Sequence, residues 1–166
     1  MKHQILTSLL TLACLATPAY SWAEAPAKAP SKPLTSGFNH VGLTVKNLDG
    51  STGFFTDVLG WRKVGGDAKY PANFVSDGKM FLTLWAVQDT KNLTDFNRKS
   101  NVGLHHLAIT VDSFELLDEL HRRAKAYPGV VIEFAPEPSY GGPAKHMMLR
   151  EPSGNRLEFK HTPPKK

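Results

Sequence analysis

His40-Val-Gly-Leu-Thr-Val45 and His106-Leu-Ala-Ile-Thr-Val111 are two copies of one sequence pattern, about 66 residues apart. Within each copy the residues alternate with the period of a β-strand, and the leading histidine lies on the face opposite the aliphatic residues. A repeat of this length indicates that one supersecondary unit occurs twice. The pattern therefore predicts two equivalent strands, with His40 and His106 at equivalent positions.

The residues that follow each copy predict the same order of elements. Asn47 or Asp49 caps a short helix that ends at Gly60. Asp112 caps a longer helix, which ends at Pro128-Gly129. Three further strands are predicted in each half, at residues 61–64, 74–75 and 79–87, and at residues 130–134, 145–149 and 156–161. We therefore predict an α+β fold, in which paired βαβββ modules form a curved mixed sheet around a cavity.

The N-terminal segment predicts export. Lys2 precedes the apolar run 5–15, and small residues favour cleavage after Ala23. The run is too short to cross a bilayer comfortably, and the residues before Cys14 are a poor match to a lipoprotein signal. The expected location is therefore periplasmic or secreted. The predicted organisation is a signal peptide (1–23), a flexible linker (24–36) and a single domain (37–162), with module one at 37–90 and module two at 103–162.

The cysteine count and the charge of the chain limit the reactions and partners that are expected. Cys14 is the single cysteine of the chain, so the chain without its signal has no disulfide, thiol nucleophile or thiolate ligand. The net charge is +5 at pH 7, and the basic residues are scattered. Nucleic-acid binding is not expected, because basic patches with interleaved aromatic residues are not evident. The expected partner is a small-molecule substrate, with no membrane association after signal removal and with a homodimer as one possible assembly.

Strand alternation places a carboxylate beside the two histidines. On the last predicted strand, Leu157 and Phe159 face the helices, so Glu158 faces the cavity with Arg156. Two imidazoles and one carboxylate leave up to three positions of an octahedral metal ion for water or substrate. The alternative is that each histidine is an ordinary hydrogen-bonded core residue and the glutamate is solvated. The coincidence of all three favours a divalent metal held by a set of ligands that comprises His40, His106 and Glu158.

From residue 40 to residue 158 the chain resembles the vicinal oxygen chelate (VOC) superfamily, which includes glyoxalase I, fosfomycin-modifying enzymes, bleomycin-resistance proteins and extradiol dioxygenases. The matching motifs are Asn39-His40-Val-Gly-Leu-Thr-Val, Phe54-Phe55 with Val58-Leu59-Gly60-Trp61, His105-His106-Leu-Ala-Ile-Thr-Val, and Glu151-Pro152-Ser-Gly-Asn-Arg-Leu-Glu158-Phe. The resemblance implies paired βαβββ modules and a divalent metal in the cavity.

The resemblance also implies four ligand positions, of which this chain fills three. The fourth position, on the last strand of module one, is occupied by Thr83, a poor ligand for these metals. Glyoxalase I activity is therefore disfavoured, because that activity uses a second carboxylate as a base. A fosfomycin transferase would need a cytosolic thiol, which an exported protein can hardly reach. The remaining similarity is to extradiol ring-cleaving dioxygenases, with Fe(II) or Mn(II) favoured and Zn or Ni possible.

The resemblance extends to residues around the metal. Extradiol dioxygenases use a histidine and a tyrosine for proton handling; this chain has Met148 where the tyrosine is expected, and Tyr140 and His146 lie nearby as candidate catalytic residues. Candidate substrate-binding residues on the same inward faces are Phe81, Thr83, Trp85, Met148 and Arg156. The alternatives are core packing for the aromatic residues and a solvated rim for the arginine. His105 is expected to point to the opposite face from His106.

Two other functions fit the same residues. A non-catalytic protein could bind a planar compound or an antibiotic in the cavity, as bleomycin-resistance proteins do. A metal-binding protein without turnover would keep the same ligands. The sequence also leaves open whether the two modules pair within one chain or between two chains.

Overall fold

The computed structural model describes residues 35–164. The predicted signal peptide, with Cys14, and most of the predicted linker lie outside the described residues. The elements are β1 (Val41–Val45), α1 (Leu48–Gly53), a π-helical turn (Phe54–Val58), β2 (Arg62–Asp67), β3 (Ala72–Ser76), β4 (Phe81–Ala86), β5 (Leu107–Thr110), α2 (Phe114–Ala126), β6 (Val131–Pro138), β7 (Lys145–Arg150) and β8 (Arg156–His161). In this part of the chain no helix has the length and apolarity that a membrane span requires.

The strands form two four-stranded mixed sheets with the same topology. Their orders are β1-β4-β3-β2 and β5-β8-β7-β6. The first strand of each module pairs in parallel with the last, and the other pairs are antiparallel. The register pairs Gly42 with Thr83 in module one and Ala108 with Glu158 in module two. The α+β class and the duplicated βαβββ unit are confirmed, and Thr83 is the structural equivalent of Glu158.

Several element boundaries differ from the predicted ones. Asn47 caps α1 as predicted, because its Oδ1 accepts a hydrogen bond from Gly50 N at 2.9 Å. The cap of α2 is Ser113 rather than Asp112, because the Ser113 side chain accepts from Leu116 N. The π-helical turn was not predicted. The second strand of the repeat, predicted at 106–111, is shorter than expected, since β5 covers only Leu107–Thr110.

The helix-bearing faces of both sheets share one core. The rings of Phe54 and Tyr127 lie 6.2 Å apart, which joins the π-helical turn of module one to the end of α2. The buried aliphatic and aromatic residues of both modules belong to one cluster, which includes Leu43, Phe55, Leu117, Leu157 and Phe159. Packing of the helices together leaves the other face of each sheet, here called its helix-free face, on the side away from this core.

Candidate functional site

Glu158 is the centre of a polar cluster on the helix-free face of module two. Its side chain is 12% exposed. His146 Nδ1 lies 2.6 Å from Glu158 Oε1, and His106 Nε2 lies 3.0 Å from Oε2. Because an ionised carboxylate only accepts, the His146 hydrogen bond requires the proton on Nδ1. The structure therefore brings together two of the three predicted ligands, and it adds a second imidazole on the other carboxylate oxygen.

His105 contacts His106, although it was expected to point away from it. The two Nδ1 atoms are 2.7 Å apart. The side chains of His105 and His106 do not point to opposite faces as they would in a strand, because both residues precede the first residue of β5. Burial, followed by the positive charges of Arg156, His106 and Arg98, lowers the pKa of His105, while Glu133 opposes this shift. A neutral His105 that carries its proton on Nδ1 can donate it to His106 Nδ1, and His106 then carries its own proton on Nε2, directed at Glu158 Oε2.

His40 is not part of this cluster. Its Nδ1 lies 2.8 Å from Asn39 Oδ1, and its ring makes an edge contact with Phe81 at 5.8 Å. Across residues 35–164 no group of three or more His, Cys, Asp or Glu residues is placed to hold a metal ion. His106 and His146 also contact different oxygens of Glu158, so these three side chains do not converge on one point. The three-residue ligand set is therefore not assembled by the described part of a single chain.

The helix-free face of module one carries a row of aromatic rings. Phe81 contacts Phe74 at 5.8 Å, Phe74 contacts Trp85 at 5.7 Å, and Trp85 contacts Tyr70 at 5.1 Å. Trp85 Nε1 donates a hydrogen bond to Thr83 Oγ1 at 2.9 Å. The predicted residues Phe81, Thr83 and Trp85 thus lie together, and Tyr70 and Phe74, which the sequence did not single out, extend the row. Such a surface suits a flat ring.

Arg156 and Met148 are buried on the helix-free face of module two, with exposed fractions of 6% and 4%. Arg156 Nε donates to Glu133 Oε2 at 2.7 Å, and Arg150 Nε donates to Glu133 Oε1 at 2.9 Å. Burial raises the pKa of Glu133, but the two hydrogen bonds and the positive charges of Arg156 and Arg150 together outweigh it, so the pKa lies below its ordinary value. Arg156 is therefore not on a solvated rim, which was the alternative considered for it.

Tyr140 and His146 are neighbours, with ring centroids 6.2 Å apart. The ring of Phe134 lies 5.0 Å from that of His146 on the same face. Tyr140 is 96% exposed. Its φ of +50° places it in the left-handed region, which non-glycine residues seldom adopt. The two predicted catalytic residues are thus close together, and one of them is held in a costly backbone conformation.

Replacing Tyr140 with glycine should stabilise the fold by about 1 kcal/mol, because glycine adopts a positive φ without strain. Thermal unfolding should show a rise in Tm of roughly 3 °C. Gly141→Ala is the matched control; since Gly141 has a φ of +70°, this change should lower Tm. An unchanged or lower Tm for Tyr140→Gly would mean that contacts of the tyrosine ring outweigh the backbone strain.

The described residues also form an open cleft of about 590 Å³ that is not lined by any of the predicted ligands. It is lined by residues from the helix-bearing side of the molecule, among them Trp61, Met80, Ile109, Leu120 and Phe159. Its lining follows β5, the edge strand of module two, and does not include His106, His146 or Glu158. It is therefore distinct from the polar cluster.

Comparison with known proteins gives a family match over most of the described chain. The model described as "Glyoxalase/Bleomycin resistance protein/Dioxygenase superfamily" matches residues 37–159. A glyoxylase/bleomycin resistance protein/dioxygenase domain from Frankia sp. EAN1pec is 26% identical with a TM-score of 0.66, and the alignment covers 80% of this chain and 96% of that one. The comparison with curated proteins finds no match.

Two further solved structures show the same fold at lower identity. A lactoylglutathione lyase from Agrobacterium tumefaciens is 22% identical with a TM-score of 0.57, over 78% of this chain and 96% of that one. A mutant of the fosfomycin resistance protein FosX from Listeria monocytogenes, complexed with Mn(II) and a dihydroxypropylphosphonic acid, is 21% identical with a TM-score of 0.57, over 76% of this chain and 90% of that one.

Proposed function

From the premise that the chain belongs to the glyoxalase/bleomycin resistance protein/dioxygenase superfamily, we propose that it is a metal-dependent enzyme acting on a small vicinal-oxygen or aromatic substrate. Among the reactions of the superfamily, we propose one most like extradiol ring cleavage. The observation that carries the proposal is the buried Glu158 carboxylate, contacted by His106 and His146.

The donor chemistry of the site fits a divalent metal. Imidazole nitrogens and a carboxylate suit Fe(II) and Mn(II), and also Zn and Ni. The related Listeria protein was crystallised with Mn(II), which supports this range of ions. Because residues 35–164 of one chain do not gather three ligands, we propose that His106 and Glu158 of one copy and His40 of a second copy hold the ion. The bound metal would supply Lewis-acid chemistry, polarising the vicinal oxygens of the substrate.

The neighbouring residues would orient the substrate and move protons. His146 carries its proton on Nδ1 towards Glu158, so its Nε2 is free to accept a proton from a substrate hydroxyl. Tyr140 lies beside that ring and is open to solvent, which gives the proton a route to bulk water. Phe81 and Trp85 would stack against a flat substrate ring. Glu158 would be kept in orientation by its hydrogen bond with His146.

Metal analysis of purified protein tests the proposal. We expect the wild type to bind Fe(II) or Mn(II) and to gain thermal stability from it. His106→Ala and Glu158→Gln should each lower metal affinity at least about ten-fold, because each removes a direct ligand. His121→Ala is the control, since His121 lies on α2, away from the cluster.

Wild-type protein without bound metal, and with no rise in Tm from Fe, Mn, Ni or Zn, would contradict the proposal. If metal is bound, a panel of catechols under aerobic and anaerobic conditions then tests ring cleavage. Oxygen consumption that requires both the metal and the catechol would support the dioxygenase reaction.

A second candidate function is non-catalytic binding of a planar compound. The observation that favours it is the aromatic row of module one, which is complete without any metal ligand from module two. This function predicts equal ligand affinity with and without a chelator. The metal-dependent enzyme predicts that the chelator abolishes binding of a vicinal diol.

The proposed location is periplasmic or secreted, and it rests on the sequence of residues 1–23 alone. An exported protein meets little reduced thiol, so a thiol-transfer reaction is the less favoured one for this chain. A substrate that is stable in an oxidising compartment, such as a catechol or another small diol, is consistent with that location.

A further inference from the structure

Arg156 is a buried guanidinium with an unpaired nitrogen. The residue is 6% exposed, and its Nη1 is buried without a hydrogen-bond partner among the described residues. Leaving a buried charged donor unpaired is costly, so such groups normally have a partner, or they bind one. The missing acceptor therefore requires a physical explanation.

The neighbouring carboxylates do not provide that acceptor. Glu133 is shared between two arginines and meets each of them only through Nε. Glu158 lies two residues further along β8, but its two oxygens are already contacted by imidazoles. One carboxylate thus faces both Arg150 and Arg156, which leaves positive charge at Nη1 that no described side chain pairs.

The position of Arg156 places this charge beside the proposed metal site. Alternate residues of a strand share one face, so the side chains of Arg156 and Glu158 leave β8 in the same direction, about 7 Å apart. Met148 pairs with Glu158 across the sheet and is also buried there, which lowers the local polarity and strengthens attraction between unlike charges. A guanidinium in such surroundings is well suited to bind a carboxylate, phosphonate or phosphate.

We infer that Arg156 binds an oxyanion of the substrate, and hence that the substrate is a compact anionic molecule. Arg156 and Glu158 are two residues apart on β8, about 7 Å along the strand, so one small molecule can reach both side chains with its oxyanion and its vicinal oxygens. Placing them in the same ligand rests on the proposed function, whereas the oxyanion site itself rests on Arg156 and Glu133 alone. Arg156 is thus a specificity-determining residue for an acidic diol over a neutral one.

Calorimetric titration of metal-free protein tests the oxyanion site. We expect phenylphosphonate and benzoate to bind, and benzamide, which has a similar shape but no charge, to bind at least about ten-fold more weakly. Inorganic phosphate serves as a further probe and distinguishes a general anion site from one that needs the aromatic ring. Arg156→Met should weaken phenylphosphonate binding by at least about ten-fold. Arg123→Met, on the exposed side of α2, is the matched control and should leave it unchanged.

Equal affinity of Arg156→Met and Arg123→Met for phenylphosphonate would overturn the inference, as would equal affinity of the wild type for benzamide and benzoate. Because loss of binding by Arg156→Met could result from misfolding, two further measurements test the oxyanion site independently of that variant. Arg156→Lys keeps the positive charge but loses the planar guanidinium with its paired N–H donors, and it should bind phenylphosphonate more weakly than the wild type does. In the wild type, the Arg156 side-chain nitrogen resonances should shift when phenylphosphonate is added, and no shift would refute the inference.

These measurements separate the inference from the proposed function. Metal affinity of Arg156→Lys should equal that of the wild type, since Arg156 is not a proposed ligand. Loss of anion binding with normal metal binding would overturn the oxyanion site alone. Normal anion binding by a protein that binds no metal would overturn the metal-dependent function and leave the oxyanion site standing.

Discussion

Glu151→Gln should lower the free energy of unfolding by about 2–4 kcal/mol, a large part of the stability of a small domain. Glu151 is 1% exposed. Its Oε2 accepts from Ser51 Oγ at 2.5 Å and from Ser153 N at 3.0 Å, while Oε1 accepts from the Asn155 backbone at 3.0 Å and side chain at 2.9 Å. All four contacts are donors, so a glutamine of the same shape places an NH₂ against at least one of them.

The effect should be large because this carboxylate joins the two modules. Ser51 belongs to α1, whereas Ser153 and Asn155 belong to the turn before β8. Ser153 Oγ also accepts from Asn47 N at 3.0 Å, and Asn155 Nδ2 donates to Thr44 O at 3.0 Å. Losing the carboxylate therefore weakens both the turn and its attachment to module one.

Urea unfolding of Glu151→Gln and of Glu137→Gln provides the measurement and its control. Both substitutions remove one negative charge, but Glu137 is exposed on β6, so its replacement should change stability by less than about 0.5 kcal/mol. Similar stabilities for the two variants would show that the Glu151 network does not hold the modules together.

The fold was largely predictable because its main signal is repeated. Strand alternation around His40 and His106 identified both modules, and the strand at 156–161 was predicted with its observed bounds. The π-helical turn was not predictable, since its i→i+5 bond from Leu59 N to Phe54 O leaves no periodic signature in so short a segment. The start of β5 was wrong because the repeat places His106 in the strand, whereas the register with β8 begins only at Leu107.

Contacts between site residues could be predicted from the sequence only where both residues belong to the same module. The contact of His106 with Glu158 follows from alternation together with the parallel pairing of β5 and β8. Whether His40 joins them depends on which faces of the two modules meet, and alternation carries no information about that. The sequence predicted that the helix-free faces of the two modules enclose the cavity, and it left open whether the two modules belong to one chain or to two. In the structure the helices meet instead, through contacts such as that of Phe54 with Tyr127.

This packing leads to the second prediction of large effect, that a heterodimer of His40→Ala and Glu158→Gln subunits should recover metal binding. In the proposed two-copy site, His40 comes from one copy, and His106 and Glu158 come from the other. One site of the heterodimer then carries both substitutions, and the other carries neither. Each parent homodimer, in contrast, has two identical defective sites.

Coexpression with two different affinity tags isolates the heterodimer, and its metal content should be about half that of the wild type, because one of its two sites is intact.

The matched control is the heterodimer of His106→Ala and Glu158→Gln subunits. Both of these substitutions lie in module two, so each metal site of this control heterodimer contains one defect, and no metal should be recovered. A site formed within one chain predicts no recovery in either heterodimer. A site formed by module two alone predicts that His40→Ala binds metal normally by itself. The pattern of recovery thus identifies which faces of the duplicated fold form the site.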